Sequence, residues 1–280
     1  MTLRPGRTTD VDVFAVDGSS VKRKHDTVVT EEPLEIRVAA RGATRTLAVT
    51  MRTPGNDFEL AAGFVYNEGI VRTRVELAGI NYCLDPAIEP DQRYNIVSVE
   101  LSAASLPDLD RFERHFITSS ACGVCGRAQL DSLRDLGIEP LDDDFRVDAA
   151  TLYALPDRMR EAQRVFEATG GLHAAALFDE RGTVKAVRED VGRHNAVDKL
   201  VGWGLLDSRL PFSRSILMVS GRAGYEILQK SAVARIPIVC SVSAPSSLAV
   251  ELAREFGITL AGFLRAERAN VYAGSERIRA

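Results

Sequence analysis

The chain has 280 residues, a length typical of about two domains, and its apolar content of 45% is sufficient for a buried core. Its 35 basic and 39 acidic side chains give a net charge of −4, so no overall positive field favours nucleic acid or an anionic membrane as a partner. No stretch has the pattern of a signal peptide or approaches about 18 uninterrupted apolar residues, which predicts a cytoplasmic protein. In that compartment four cysteines favour catalysis or metal binding over a disulfide framework.

The first third of the chain predicts a small α+β unit. Residues 1–30 are polar, and their basic run Lys22-Arg23-Lys24-His25 is typical of a solvated edge or strand end. Period-two alternation around Gly42 predicts a hairpin, and the Pro54-Gly55 break precedes a helical pattern. The predicted elements are strands at 35–38 and 46–50, a helix at 57–65, and strands at 79–83 and 94–101.

A Cys-X-X-Cys pair follows, in Thr118-Ser119-Ser120-Ala121-Cys122-Gly123-Val124-Cys125-Gly126-Arg127. Gly123 and Gly126 lack a Cβ, so the backbone is adaptable and nothing bulky shields either sulfur. Such a pair serves as a redox dithiol, as half of a zinc site, or as a sulfur relay in which one thiolate carries a persulfide. A zinc site needs two more ligands and the sequence holds no second such pair, although two loops of a dimer could supply four cysteines.

The second half of the chain has a different sequence pattern, in which apolar segments of strand length alternate with helical segments. Such alternation predicts a sheet covered by helices on both faces. Cys83, Cys240 and His173 lie in apolar strand-like segments and are expected to be buried in the core. The predicted helices are 128–136, 158–168, 195–203, 224–233 and 246–256, and the predicted strands are 172–178, 183–188, 216–219, 236–242 and 258–263.

Three turns between these strands and helices carry side chains that can bind an anion. They are Asp190-Val191-Gly192-Arg193-His194-Asn195, Ser220-Gly221-Arg222-Ala223-Gly224 and Ser241-Val242-Ser243-Ala244-Pro245-Ser246-Ser247. Helix N-termini, hydroxyls and guanidinium groups together favour a phosphate-bearing ligand, held by Arg193, His194, Ser220, Gly221 and Arg222. The pattern is neither the Gly-x-Gly-x-x-Gly fingerprint nor a P-loop, which argues against dinucleotide dehydrogenases and ATPases.

Several of these segments together resemble the FdhD family. The resemblance rests on Arg52-Thr53-Pro54-Gly55-Asn56-Asp57 with Glu59-Leu60-Ala61-Ala62-Gly63-Phe64, on Ser119-Ser120-Ala121-Cys122-Gly123-Val124-Cys125-Gly126, on Arg188-Glu189-Asp190-Val191-Gly192-Arg193-His194-Asn195-Ala196-Val197-Asp198-Lys199, on Val219-Ser220-Gly221-Arg222 and on Ala261-Gly262-Phe263-Leu264-Arg265. Because several motifs occur in the same order over most of the chain, they are far more specific than the thiol pair alone.

Members of this family are sulfur carriers needed for formate dehydrogenase maturation. They accept sulfur from a cysteine desulfurase as a persulfide and pass it to the molybdenum cofactor, bis-molybdopterin guanine dinucleotide. By this resemblance Cys122 carries the persulfide, and Cys125 is the second thiol, which shares the relay or releases the sulfur as a transient disulfide. Arg127 or His115 is a candidate for stabilising the thiolate.

The resemblance also has implications for the fold, the assembly and the cofactor site. It implies a homodimer, GDP binding as a fragment of the cofactor, and a cofactor-binding segment after the last strand, at Phe263, Leu264, Arg265, Ala266, Glu267 and Arg268. The expected fold is α/β, with a small N-terminal α+β domain at residues 1–112 and a three-layer α/β/α domain at residues 113–280 that resembles the cytidine deaminase fold and carries a mobile CxxC loop. Deamination is not expected, because the His-x-Glu and Pro-Cys-x-x-Cys elements of the zinc site are missing.

Two alternatives remain open from the sequence. One is a chaperone that binds the molybdenum cofactor and whose cysteines hold a structural metal. The other is a thiol-disulfide oxidoreductase, which turns over small disulfides and does not respond to guanine nucleotides.

Overall fold

The computed structural model describes residues 5–109, 133–134 and 136–279. These residues form fourteen strands and six α-helices. The strands are β1 (Thr8–Asp17), β2 (Ser20–Val29), β3 (Glu32–Ala40), β4 (Ala43–Arg52), β5 (Leu77–Tyr82), β6 (Ile96–Leu101), β7 (Val147–Asp148), β8 (His173–Phe178), β9 (Val184–Asp190), β10 (Ile216–Val219), β11 (Ile238–Ser241), β12 (Thr259–Arg265), β13 (Arg268–Ala273) and β14 (Ile278–Arg279). The helices are α1 (Asp57–Asn67), α2 (Ala149–Ala162), α3 (Arg164–Thr169), α4 (Arg193–Leu206), α5 (Tyr225–Val233) and α6 (Ser247–Glu255).

The first third of the chain forms a four-stranded sheet in the order β4-β3-β6-β5. Alternate residues of β3, namely Leu34, Ile36 and Val38, are fully buried, as expected for a strand with one face on a core. The apolar residues Leu60 and Val65 of α1 belong to the same core, so α1 covers this face of the sheet. A separate hairpin, β1 paired with β2, precedes the sheet.

The second half of the chain forms a six-stranded sheet in the order β13-β12-β11-β10-β8-β9. Strands β10, β11 and β12 are parallel, while β8 runs antiparallel to both of its neighbours. Alternate residues of β10 enter different cores: Leu217 packs with residues of α4, α5 and α6, and Ile216 packs with residues of α2. Helices therefore cover both faces of this sheet, as the apolar strands predicted.

The two sheets are joined by the crossing of α1 and α4, where the backbones approach each other without side chains between them. A Cβ on Gly63 would lie 1.8 Å from the carbonyl oxygen of Asp198, and a Cβ on Gly202 would lie 1.8 Å from that of Glu59. Because a side chain at either position has no space, glycine is required at both for this contact. Helix α4 is consequently buried on most of its surface.

Most of the predicted elements are confirmed with small shifts at their ends. The predicted helix at 158–168 is two helices, α2 and α3, which meet at Gln163. Strands β1 and β2 were not predicted, and β13 follows the strand that the sequence placed last. The thiol pair, the predicted helix at 128–136 and the predicted domain boundary fall wholly or largely outside the described residues. The likeness to cytidine deaminase stays a prediction. In the part of the chain that the structure describes, no helix has the length and apolarity to cross a lipid bilayer.

The glycine crossing predicts the effect of substituting Gly202. Alanine usually stabilises a helix by about 1 kcal/mol relative to glycine, but a methyl group here would overlap the backbone of α1. We expect Gly202→Ala to lower the free energy of unfolding by about 3 kcal/mol or more, the upper end for overpacking. Urea denaturation followed by circular dichroism measures this change.

The matched control is Gly79→Ala in β5, where a Cβ would meet only atoms at 3.5 Å or more. It is expected to change the free energy of unfolding by less than about 0.5 kcal/mol. Equal stabilities for the two variants would contradict the close approach of α1 and α4.

Candidate functional site

The three turns selected from the sequence lie side by side at one edge of the six-stranded sheet. Strands β9, β10, β11 and β12 all end at this edge, and helices α4, α5 and α6 begin there. Backbone hydrogen bonds join the second and third turns: Val242 N donates to Val219 O at 3.3 Å, and Ser246 N donates to Ala223 O at 3.1 Å. The first turn follows β9, which is separated from β10 by the start of β8. The carboxyl ends of parallel strands and the N-termini of helices both favour bound anions, so the edge has the general geometry of a phosphate site.

A cavity of about 560 Å³ opens beside these turns. His173, Ser220 and Val242 form its wall on the side of the sheet, while Gln163 and Phe166 at the α2–α3 junction form the opposite wall. Its volume falls within the range of small-molecule sites. The sequence did not indicate α2 and α3 as part of a site, because their helical pattern alone does not reveal what they face.

The guanidinium of Arg193 provides a buried hydrogen-bond donor at this edge. Its Nε is buried and has no hydrogen-bond partner among the described residues. A buried charged donor without an acceptor is costly, and an oxyanion would satisfy it. Gly221 lies against the same side chain, since a Cβ there would be 3.7 Å from Arg193 Cδ and 3.2 Å from His173 Nδ1. The absence of a side chain at Gly221 keeps this space open.

His173 is placed differently from the prediction. The sequence predicted a core histidine, but His173 is only partly buried and lines the cavity. It begins β8 beside Asp190, the last residue of β9, so its side chain reaches the edge of the sheet. Burial, together with the nearby positive charge of Arg193, lowers the pKa of His173. The imidazole is therefore mainly neutral at pH 7, so one ring nitrogen donates a hydrogen bond and the other accepts one.

His194 is held by a carboxylate from the neighbouring helix. Its Nδ1 lies 2.8 Å from Oε2 of Glu226, in the first turn of α5. The hydrogen bond from His194 lowers the pKa of Glu226, so this carboxylate is ionised at neutral pH. The pair joins the N-terminal turns of α4 and α5 and fixes the orientation of the His194 ring.

The side chain of Asp190 holds the first turn, residues 190–195, in place. It is fully buried, and its carboxylate accepts hydrogen bonds from Gly192 N at 2.8 Å, Thr53 N at 3.2 Å and Asn195 Nδ2 at 3.0 Å. The ammonium of Lys199 lies 2.6 Å from its Oδ2. The motif that contains Thr53 and the motif that contains Asp190 thus meet across the junction of the two sheets.

The cofactor segment predicted from the resemblance does not follow the last strand, and this part of the prediction is wrong. Residues 263–265 belong to β12, residues 266 and 267 form a turn, and Arg268 begins β13. Phe263 is 39% exposed, has a φ of 53°, and donates a hydrogen bond from its backbone N to Ser243 O in the third turn. A non-glycine residue in this conformation is strained, and such strain is concentrated at functional sites.

The other members of this segment divide into exposed and buried residues. The side chain of Leu264 is fully buried in the core, so only its backbone is available to a ligand. Arg265, Ala266, Glu267 and Arg268 are exposed, as is Phe263. Ala266 also has a positive φ, of 45°, at the turn between the strands.

Cys83 and Cys240 are buried free thiols, as predicted. Burial raises the pKa of Cys240 to about 12, so this thiol is not a nucleophile at neutral pH. Cys122, Cys125, His115 and Arg127 lie outside the described residues. Within the described ranges, no group of three or more His, Cys, Asp or Glu side chains is arranged to hold a metal ion.

The chain is similar over nearly its whole length to proteins of one family. The model of the FdhD/NarQ family matches residues 29–279. A protein of Streptomyces avermitilis named sulfur carrier protein FdhD is 50% identical over 277 residues, which cover 98% of this chain and 96% of that protein. A protein of the same name from Sulfurisphaera tokodaii is 44% identical over 268 residues, covering 96% and 98%. The crystal structure of a protein provisionally described as a formate dehydrogenase accessory protein, from Desulfotalea psychrophila, matches with a TM-score of 0.73 and 26% identity, covering 97% of this chain and 99% of that one.

A buried charge cluster lies behind the site, where α1 meets α4 and α5. Lys230 Nζ lies 2.7 Å from Asp198 Oδ1, which also accepts a hydrogen bond from Asn67 Nδ2 at 2.7 Å. Burial raises the pKa of Glu68, the residue after α1, to about 7; Lys230 opposes this rise, while Asp198 and Glu226 add to it.

This pKa predicts how stability changes with pH. Between the ordinary glutamate pKa of 4.5 and about 7, the folded protein holds a proton on Glu68 that the unfolded chain releases. The contribution of Glu68 to stability therefore decreases as pH rises through this window. Relative to Glu68→Gln, the wild-type protein is expected to lose on the order of 2 kcal/mol between pH 5 and pH 8.

Urea denaturation of both proteins across this pH range measures the difference, and Glu89→Gln, which removes an exposed carboxylate, is the control. The difference between wild type and Glu89→Gln should stay constant. If the free energies of unfolding of the wild-type protein and Glu68→Gln changed with pH in parallel, this would contradict a raised pKa of Glu68.

Proposed function

The chain belongs to the FdhD/NarQ family, and on that basis we propose that it is a sulfur carrier in the maturation of formate dehydrogenase. The name shared by relatives from bacteria and archaea supports the sulfur-carrier part of this proposal. The description of the matching crystal structure supports the part that concerns formate dehydrogenase. The proposal includes a cytoplasmic homodimer that receives sulfur from a cysteine desulfurase.

Cys122 is the proposed carrier because the resemblance to the FdhD family assigns the persulfide to this position. The two cysteines in the described part of the chain, Cys83 and Cys240, are buried. The thiolate of Cys122 attacks the outer sulfur of a cysteine persulfide on the donor; the donor S–S bond breaks, a new S–S bond forms at Cys122, and the donor cysteine leaves as a thiolate. Cys125 then attacks Cys122 Sγ, which forms a disulfide and releases hydrosulfide. The two cysteines supply the two electrons for this release and become a disulfide. A dithiol reductant then reduces the disulfide back to two thiols.

The proposed sulfur acceptor is bis-molybdopterin guanine dinucleotide, bound at the edge where α4, α5 and α6 begin. The observation that carries this assignment is the buried Nε of Arg193, which has no acceptor among the described residues. Its side chain lies beside Gly221, as does His173, which lines the cavity. A pyrophosphate provides the oxyanion that this donor needs. His194, Ser220, Gly221 and Arg222 belong to the two adjacent turns and complete the anion-binding edge.

Phe263 is the proposed stacking residue for a planar ring of the cofactor. It is exposed, held in a strained conformation, and bonded through its backbone to the third turn of the same edge. Arg265 and Arg268 face each other across the β12–β13 turn and add positive charge there. The same edge also accommodates a chaperone that binds the cofactor without moving sulfur, and this is the alternative function that the experiments must exclude.

The first experiment tests the carrier step. After incubation with a cysteine desulfurase and cysteine, mass spectrometry should find one additional sulfur atom on the peptide that contains Cys122. Cys122→Ala should lose the adduct and leave formate dehydrogenase inactive while it folds normally. Cys125→Ala should keep the adduct, because only release requires the second thiol.

A chaperone with a structural metal predicts stoichiometric zinc and no added sulfur, whereas an oxidoreductase predicts turnover of small disulfides. Full formate dehydrogenase activity with Cys122→Ala would remove the catalytic assignment of Cys122.

The second experiment tests the acceptor site with GDP as a fragment. Arg193→Gln should weaken GDP binding at least tenfold in isothermal titration calorimetry, since a hydrogen bond between charged groups contributes about 1.5–3 kcal/mol. Guanosine, which lacks phosphate, should bind both proteins equally. Lys22→Gln removes one positive charge from an exposed position of β2 that does not line the cavity, and it should leave GDP affinity unchanged. Equal GDP affinity for wild type and Arg193→Gln would disprove a role of Arg193 in phosphate binding.

A further inference from the structure

The opposite edge of the six-stranded sheet carries a second cavity, of about 610 Å³. Here β8 ends and β9 and β10 begin, since Phe178 pairs with Val184 on one side and with Ile216 on the other. His173 lies at the other end of β8, so the cavity is separated from the candidate site by the length of the sheet.

The lining of this cavity is basic. Lys185, Arg209 and Arg214 contribute three cations, and no carboxylate is found among the described residues of the lining. The ammonium of Lys185 donates to Arg214 O at 3.3 Å and to Ser215 Oγ at 3.1 Å, which leaves the third of its N–H groups without an acceptor among the described residues. The three cations line one cavity, while the carboxylates Asp207, Asp144 and Glu180 that pair with the two arginines lie outside its lining.

The two arginines can turn toward a bound anion. Arg209 pairs with Asp207 at 3.2 Å, and Arg214 pairs with Asp144 at 3.4 Å and with Glu180 at 3.3 Å. Both guanidinium groups are more than half exposed, so these pairs are screened by water and weak. An oxyanion inside the cavity would compete with them at little cost.

A rigid aromatic wall stands beside these cations. Trp203 stacks on Phe212 with ring centroids 6.2 Å apart, and Gly204 provides the room, because a Cβ there would lie 2.2 Å from the Phe212 ring. The guanidinium of Arg188 lies 5.7 Å from the Trp203 ring and is itself bonded to Glu59 at 2.7 Å. Arg209 lies 4.9 Å from the same ring. The wall is therefore formed before any ligand binds.

We propose that this cavity is a binding site for a small organic oxyanion whose charged group is attached to a planar apolar body. The cations Lys185, Arg209 and Arg214 bind the oxyanion, and Trp203 and Phe212 contact the planar body. A phosphate monoester and a carboxylate share this chemistry. This binding site does not depend on sulfur transfer, so a test of it does not test the proposed function.

Trp203 is the only tryptophan of the chain, so its fluorescence reports directly on this cavity. Titration with phenyl phosphate should change the emission in a saturable way, while inorganic phosphate should bind at least tenfold more weakly because it lacks the planar body. Benzoate, titrated in parallel, distinguishes a carboxylate site from a phosphate site. Calorimetry with the same probes provides an independent affinity.

The decisive variants remove two charges each. Arg209→Gln with Arg214→Gln should weaken phenyl phosphate binding at least tenfold, whereas Lys22→Gln with Lys24→Gln, the matched pair on exposed β2, should not. Arg193→Gln should also leave it unchanged, which separates this site from the GDP site. A fluorescence change that does not saturate, or that is equal in all variants, would overturn the proposal.

Discussion

The arrangement of the site depends on the hydrogen bonds and the ion pair that the buried carboxylate of Asp190 forms. It receives hydrogen bonds from the backbone of Gly192 and Thr53 and from the side chain of Asn195, and it forms an ion pair with Lys199. Removing one partner of such a pair leaves an uncompensated buried charge, which typically costs 3–5 kcal/mol. Because Gly192 directly precedes α4, the same carboxylate sets the position at which Arg193 begins the helix.

The site therefore depends on both sheets, although its solvent-accessible residues come from the six-stranded sheet alone. Lys199 also donates to Thr53 O at 2.9 Å, and Asn195 donates to Met51 O at 2.8 Å. The end of β4 and the residues after it therefore support the first of the three turns proposed to bind an anion. The glycine crossing of α1 and α4 holds these groups at a fixed distance. A shift of the first sheet would move Arg193 and His194 together.

Much of the fold could be predicted from the sequence because its central strands are apolar and because a glycine follows within two residues of the ends of α1, α3 and α6. Strands β1 and β2 were missed because most of their residues are exposed, so neither strand has a buried face that the sequence could indicate. Half of the residues of β13 are exposed as well. The position of His173 was missed for a related reason. An apolar strand predicts a core residue at every position, but the first residue of β8 lies at the edge of the sheet, where a cavity replaces the core. The need for glycine at positions 63 and 202 arises from a contact between distant segments, which a single sequence does not reveal.

The motif from Arg188 to Lys199 contains both residues that stabilise the junction of the two sheets and residues of the candidate site. Arg188 bonds to Glu59, and Asp198 bonds to Asn67 and Lys230, so these charged residues serve the junction of the sheets. Within this motif, Arg193 and His194 are the residues whose side chains are turned toward the neighbouring helix start and the anion-binding edge. A sequence pattern that identifies the family therefore marks mainly the scaffold. The unpaired donor of Arg193 is the reason for placing the proposed ligand at this position, because every other buried charge in the motif has a partner among the described residues.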